Sequence, residues 1–142
     1  MNSKVVWKEG LSFEANLDGF KFMIDAKEDV GGKNRGPSPK GFILIALAGC
    51  TGMDVISILK KMRVDIDSFE VKTEAVLSKE YPKKYLAILI KYVFEGKDLS
   101  LEKIKKAILL SEEKYCGVSA TLKLSVKIAN EIIINGKRIE DK

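Results

Sequence analysis

The stretch GFILIALAGCTGMDVISILKKMR, residues 41–63, decides how the rest of the chain is read. Its apolar residues follow one another too continuously for a surface helix with one wet side, so it predicts a long central helix buried on most sides, between layers or subunits. Gly41, Gly49 and Gly52 each cost a helix up to about 1 kcal/mol against alanine, so another benefit must offset them. Ala48 and Gly52 are four apart on one face and would admit another backbone; a bend at Gly49 is the alternative. The run from Gly41 to Met53, broken only by Thr51, stops at Asp54, short of the roughly 17 residues of a membrane span. Just upstream, Ser38 offers a cap and Pro39 the first helical position, where its missing N–H costs nothing.

Working outward, DVGGKNRGPSPKG carries four glycines and two prolines and reads as a loop without regular structure. Three strands precede it, near Lys4–Lys8, Leu11–Leu17 and Phe20–Ile24, the last two joined by Asp18-Gly19, a hairpin pair suited to positive φ. Downstream, DSFEVKTEAVL and YLAILIKYVF read as two long strands around the turn KEYPKK. Ser100 then caps an amphipathic helix carrying Leu101, Ile104, Ile108 and Tyr115 to Cys116, with Gly117 as its stop. A strand with Leu122, Leu124, Val126 and Ile128 on one side follows, and EIIINGKRI closes as a hairpin around Asn135-Gly136. Hairpins with helices segregated between them make an α+β fold of antiparallel sheets with two main helices.

The 142 residues, 46% hydrophobic and 32% charged, suit one soluble globular domain over 1–142. The N-terminus MNSKVVWKEG places charges before any signal-like apolar core, so a cytoplasmic location is expected. The net charge of +5 comes mostly from lysines scattered among acids, the pattern of a solvated surface and not of a nucleic-acid-binding face. No nucleic-acid or membrane partner is expected. Histidine is absent, which excludes Ser-His and Cys-His catalysis and His-containing zinc sites; two cysteines exclude a four-thiolate metal site within one chain.

Cys50 in the central helix and Cys116 at the end of the second helix remain as candidate nucleophiles. Free cysteine is often a small core hydrophobe, and chain position alone does not say whether the two meet. For reactivity Cys50 needs a stabilised thiolate, because apolar burial raises a thiol pKa. A helix break at Gly49 would bring it near a helix N-terminus; in an unbroken helix it lies beyond that field. Thr51 adds a hydroxyl, Arg35 is the only arginine of the glycine-rich loop, and Asp54 opposes ionisation unless itself paired.

The run GGKNRGPSPKGFILIALAGCTGMDVISILKKMR resembles the OsmC/Ohr superfamily of osmotically inducible and organic hydroperoxide resistance proteins, in particular its YhfA-like branch. YCGVSATL resembles the family's second-cysteine motif, usually Cys-Pro-Val-Ser, with Gly117 in place of proline. The element order agrees along essentially the whole chain. The resemblance implies an OsmC-like domain, an intertwined homodimer with active sites at the subunit interface, and a thiol-dependent peroxidase for organic hydroperoxides. In it Cys50 takes the peroxidatic position and Cys116 the resolving one, the two joining in a disulfide that an external dithiol reduces. No cofactor, metal or flavin is implied.

Two departures bear on that reading. Active members pair an N-terminal arginine with a glutamate just upstream of the first cysteine, where SPKGF here has Lys40 and Gly41. No arginine precedes the glycine-rich loop, so Arg35 is the candidate stabiliser of thiolate or peroxide. The alternative is an OsmC-like binding module for a small hydrophobic ligand, with weak or no peroxidase activity.

Overall fold

A computed structural model describes residues 1–140, and its chain falls into two compact units, Met1–Leu44 and Ile45–Lys142. The first holds a three-stranded antiparallel sheet of β1 (Ser3–Glu9), β2 (Ser12–Leu17) and β3 (Phe20–Ile24), in that order. Asp18 and Gly19 both take positive φ, 48° and 96°, as the expected hairpin requires.

The glycine-rich segment is more ordered than its composition predicts. It contains a short 3-10 turn, Glu28–Val30, and is gathered around the buried carboxylate of Asp25, which accepts from the backbone N–H groups of Ala26 (2.7 Å), Lys33 (3.2 Å) and Arg35 (3.2 Å). Gly32 and Gly36 let the loop lie directly on backbone. A Cβ on them would fall 1.9 Å from the Ala26 oxygen and 2.1 Å from the Met23 oxygen. Burial by itself raises the Asp25 pKa, but these donors, with the Ser12 hydroxyl, bring it below the ordinary value.

The long helix, α1 (Gly41–Lys61), begins two residues later than Pro39. Gly41, Phe42 and Ile43 donate to the carbonyls of Ser38, Pro39 and Lys40, so a tight i→i+3 turn leads into it. It runs unbroken through Gly49, so no new helix starts there. Gly52 is the glycine that close packing explains, since a Cβ there would lie 3.3 Å from Val71 Cγ2.

Within a single chain this helix is buried along one side only, short of the burial on most sides, between layers or subunits, that its sequence predicts. Only Leu47, Thr51, Val55 and Leu59, one stripe at four-residue spacing, are buried, while Ile45 and Met53 are 62% and 75% exposed. A single chain covers one side of the cylinder, which the continuous apolar composition does not reveal. The helix also continues past Asp54, so by length and composition alone it is apolar enough to cross a membrane, correcting the count that stopped at Met53. Here its Thr51–Gly52 face packs on strands instead.

Those strands belong to a four-stranded sheet in the order β4 (Ser68–Leu77), β5 (Tyr85–Glu95), β6 (Lys127–Ile134) and β7 (Lys137–Ile139). Alternation places Ile88, Ile90, Tyr92 and Phe94 of β5 in the core. The sheet is not wholly antiparallel as expected, because β5 and β6 pair in parallel. A parallel pair needs a crossover, and α2 (Leu101–Leu110), a π-helical turn (Ser111–Tyr115) and α3 (Gly117–Leu122) lie between them in the chain.

Two further expectations change along this crossover. Gly117 opens α3 instead of stopping the helix before it, and the strand expected around Leu122–Ile128 starts only at Lys127. The N–H groups of Ser125 and Val126 both turn back to the Leu122 carbonyl, at 3.0 and 2.9 Å, so local turn hydrogen bonds take the place of strand pairing there despite the alternation. The cap at Ser100 and the Asn135-Gly136 hairpin are found as expected.

Candidate functional site

Cys50 comes from the middle of α1. Cys116 follows the π-helical turn, where its N–H reaches back to the Ser111 carbonyl at 2.8 Å, an i→i+5 bond that widens the helix before the chain leaves it. The fold brings the two together: the sulfurs of Cys50 and Cys116 and a carboxylate oxygen of Asp54 all lie within 4.8 Å of one another. Both cysteines are free thiols, Cys50 half-buried and Cys116 only 2% exposed.

Helix-terminal help goes to the other cysteine from the one the sequence suggested. Since α1 is unbroken from Gly41, Cys50 sits beyond the first turn, where the field of the helix end has faded. Cys116 is instead the N-cap of α3, its sulfur accepting from the Ser119 N–H at 3.3 Å. That contact favours a thiolate, but burial weighs more, and the neighbouring Cys50 and Asp54 push the same way. The Cys116 thiol is raised to about 11.

Beneath the thiols lies a hydroxyl network that sequence reasoning missed. Thr51 Oγ1 is 2.7 Å from the Tyr92 hydroxyl and 2.9 Å from Ser111 Oγ, and Ser111 donates to Asp54 Oδ2 at 3.0 Å. Thr51, expected to assist Cys50, thus spends its hydroxyl on this network. Burial pushes the Tyr92 phenol well above its ordinary range, although the Thr51 bond opposes the shift. Asp54, expected to oppose ionisation unless paired, is held by Ser111. No residue spacing points to Tyr92 or Ser111, because their strand and their π-helical turn meet α1 only in the folded chain.

The third predicted site residue, Arg35, belongs to the N-terminal unit and pairs there through its guanidinium with Glu9. Lys33 shares that carboxylate at 3.6 Å. Beside Asp54 opens a cleft of about 350 Å³ with Ile58, Met62, Leu110 and Tyr115 among its walls.

Comparisons with known proteins agree with this architecture. The OsmC-like protein family matches residues 31–131, which include both cysteines. Protein YhfA of Escherichia coli K12 is 34% identical over 131 residues, covering 92% of this chain and 95% of its own. A crystal structure of a protein from Aquifex aeolicus VF5 is similar with a TM-score of 0.79 and 29% identity, over 94% of this chain and 96% of that one. The organic hydroperoxide resistance protein OhrB of Bacillus subtilis shares the fold at a TM-score of 0.63 and 22% identity, over 93% of this chain and 98% of that one. With the family match spanning most of its length and a relative of this identity covering nearly all of it, the chain belongs to the OsmC-like protein family.

Proposed function

We propose that the protein is a thiol-dependent peroxidase for organic hydroperoxides, with Cys50 peroxidatic and Cys116 resolving. The observation that carries this reading is the approach of two sequence-remote sulfurs to within 4.8 Å. A disulfide needs about 2.05 Å between sulfurs, so the two must draw closer for the bond to form. Their unequal exposure suits the division of labour, since Cys50 is the thiol a substrate reaches.

In this reaction the Cys50 thiolate attacks the peroxide O–O bond, forming a sulfenic acid while the departing alkoxide takes a proton and leaves as alcohol. The Cys116 sulfur then displaces the sulfenic hydroxyl as water and a disulfide forms. An external dithiol returns both thiols by exchange and is itself oxidised. No metal or flavin enters, and a reducing cytoplasm supplies the setting. Arg35 keeps its proposed part as stabiliser of thiolate or peroxide, for which its pair with Glu9 must exchange.

The working unit proposed is a homodimer. Ile45 and Met53 on α1, and Val5, Trp7 and Phe20 in the N-terminal sheet, are large apolar side chains left exposed by a single chain, as an interface between copies requires.

The test adds cumene hydroperoxide to reduced protein and locates oxidised cysteines by mass spectrometry. A Cys50–Cys116 bond is expected, with peroxide consumption lost in Cys50→Ser and a trapped sulfenic acid in Cys116→Ser. Unchanged consumption in Cys50→Ser overturns the proposal.

The cleft beside Asp54 favours a second reading, a module that binds a small hydrophobic ligand with little turnover. Co-purified acyl species together with thiols inert to peroxide would support it; rapid turnover with a dithiol would exclude it as the main role.

A further inference from the structure

Cys50, Asp54 and Cys116 present two sulfurs and a carboxylate oxygen within 4.8 Å of one another. This is a donor set that neither a four-thiolate nor a histidine-containing site resembles. A tetrahedral zinc ion with Zn–S bonds of about 2.3 Å holds its sulfurs about 3.8 Å apart, so the spacing needs only small side-chain adjustment. Thiolate sulfur with one carboxylate suits a borderline-soft divalent ion better than calcium or magnesium, which prefer all-oxygen shells.

The surroundings favour a held site over an accidental cluster. Ser111 donates to Asp54 Oδ2 at 3.0 Å and is itself anchored by Thr51, which fixes the carboxylate. Thr51 is anchored in turn by the Tyr92 hydroxyl. Such outer partners typically matter 10–100-fold for metal affinity. Asp54 also lines the cleft of about 350 Å³, so the carboxylate side of the cluster borders open space.

The geometry points to a reversible zinc-class site made of Cys50, Cys116 and Asp54 in the reduced protein, which caps the dithiol and is lost when the two sulfurs join. The ion is not a participant in peroxide reduction; it competes with it. Bound thiolates have their lone pairs committed to the metal, and a disulfide has no thiolate to offer, so ion binding and oxidation exclude each other. The site uses the same residues as the proposed peroxidase but does not depend on that chemistry.

The test titrates reduced, metal-free protein under argon with Co²⁺, followed by displacement with Zn²⁺ against a chromogenic chelator. Expected are one ion per chain, a thiolate-to-cobalt charge-transfer band, and loss of that band in Cys50→Ser, in Cys116→Ser and after diamide oxidation. Asp54→Ala should weaken binding 10–100-fold and Ser111→Ala about tenfold, each compared with a thermal melt of the same variant. Absence of the band at stoichiometric ion overturns the inference, as does wild-type affinity in a folded Asp54→Ala protein. Peroxide consumption without added metal is measured separately, so inert thiols that bind cobalt would refute the peroxidase alone. Reactive thiols that ignore cobalt would refute this site alone.

Discussion

The hydroxyls of Thr51 and Tyr92 meet 2.7 Å apart inside the core, joining the helix that carries Cys50 to the middle of the sheet. Both residues are essentially inaccessible to solvent. Thr51→Val keeps the shape but leaves the phenol without this partner, and an unsatisfied buried hydroxyl costs about 1–3 kcal/mol. That loss should appear in the urea midpoint. Adding Tyr92→Phe removes the stranded group, so the double variant should lose less than the sum of the singles; strict additivity would show that the two do not interact.

Alkylation should separate the thiols by pH. Burial holds the Cys116 thiol near 11 against an ordinary value of about 9, so iodoacetamide at neutral pH should label Cys50 first and Cys116 only as the solution becomes strongly alkaline. The same shift has a stability consequence. Between about 9 and 11 the folded chain holds a proton that the unfolded chain has lost, so stability is complete below about 9 and falls as pH rises through that window. Equal labelling rates at neutral pH would contradict the burial of Cys116.

At the acid end the relevant group is Asp25, whose carboxylate gathers the loop from Ala26 to Arg35. Its pKa lies below the ordinary value. Its contribution is present above the unfolded pKa of about 4 and fades as pH falls through the lower folded value. Asp25→Asn should lower stability at neutral pH and flatten this part of the acid limb in denaturant titrations.

Gly36→Ala should damage the same loop by a different route. The added Cβ would sit 2.1 Å from the Met23 oxygen, so backbone must move. Limited proteolysis should then cut within residues 26–37 much faster than in the parent chain; unchanged resistance would mean that the loop can shift at little cost.

Oligomeric state is checked by sedimentation. A homodimer is expected, and Met53→Glu, which puts a charge where a 75%-exposed apolar side chain now stands, should give monomers without unfolding the chain. A wild-type protein of monomeric mass would remove the proposed interface.

The elements were largely legible in the residues because they rest on local chemistry. Asp18-Gly19 and Asn135-Gly136 mark hairpins through positive φ, alternation marks β4, and the cap at Ser100 marks α2. The chemistry-bearing residues were legible by type, since a chain without histidine leaves its two cysteines as the evident nucleophiles. Only the tertiary structure decided what surrounds them. The parallel pairing of β5 with β6, the π-helical turn that ends at Cys116 and the Thr51–Tyr92–Ser111–Asp54 network all arise from contacts between residues far apart in the chain. Local propensity carries no information about such contacts, because their energy exists only once distant segments have displaced water from between them.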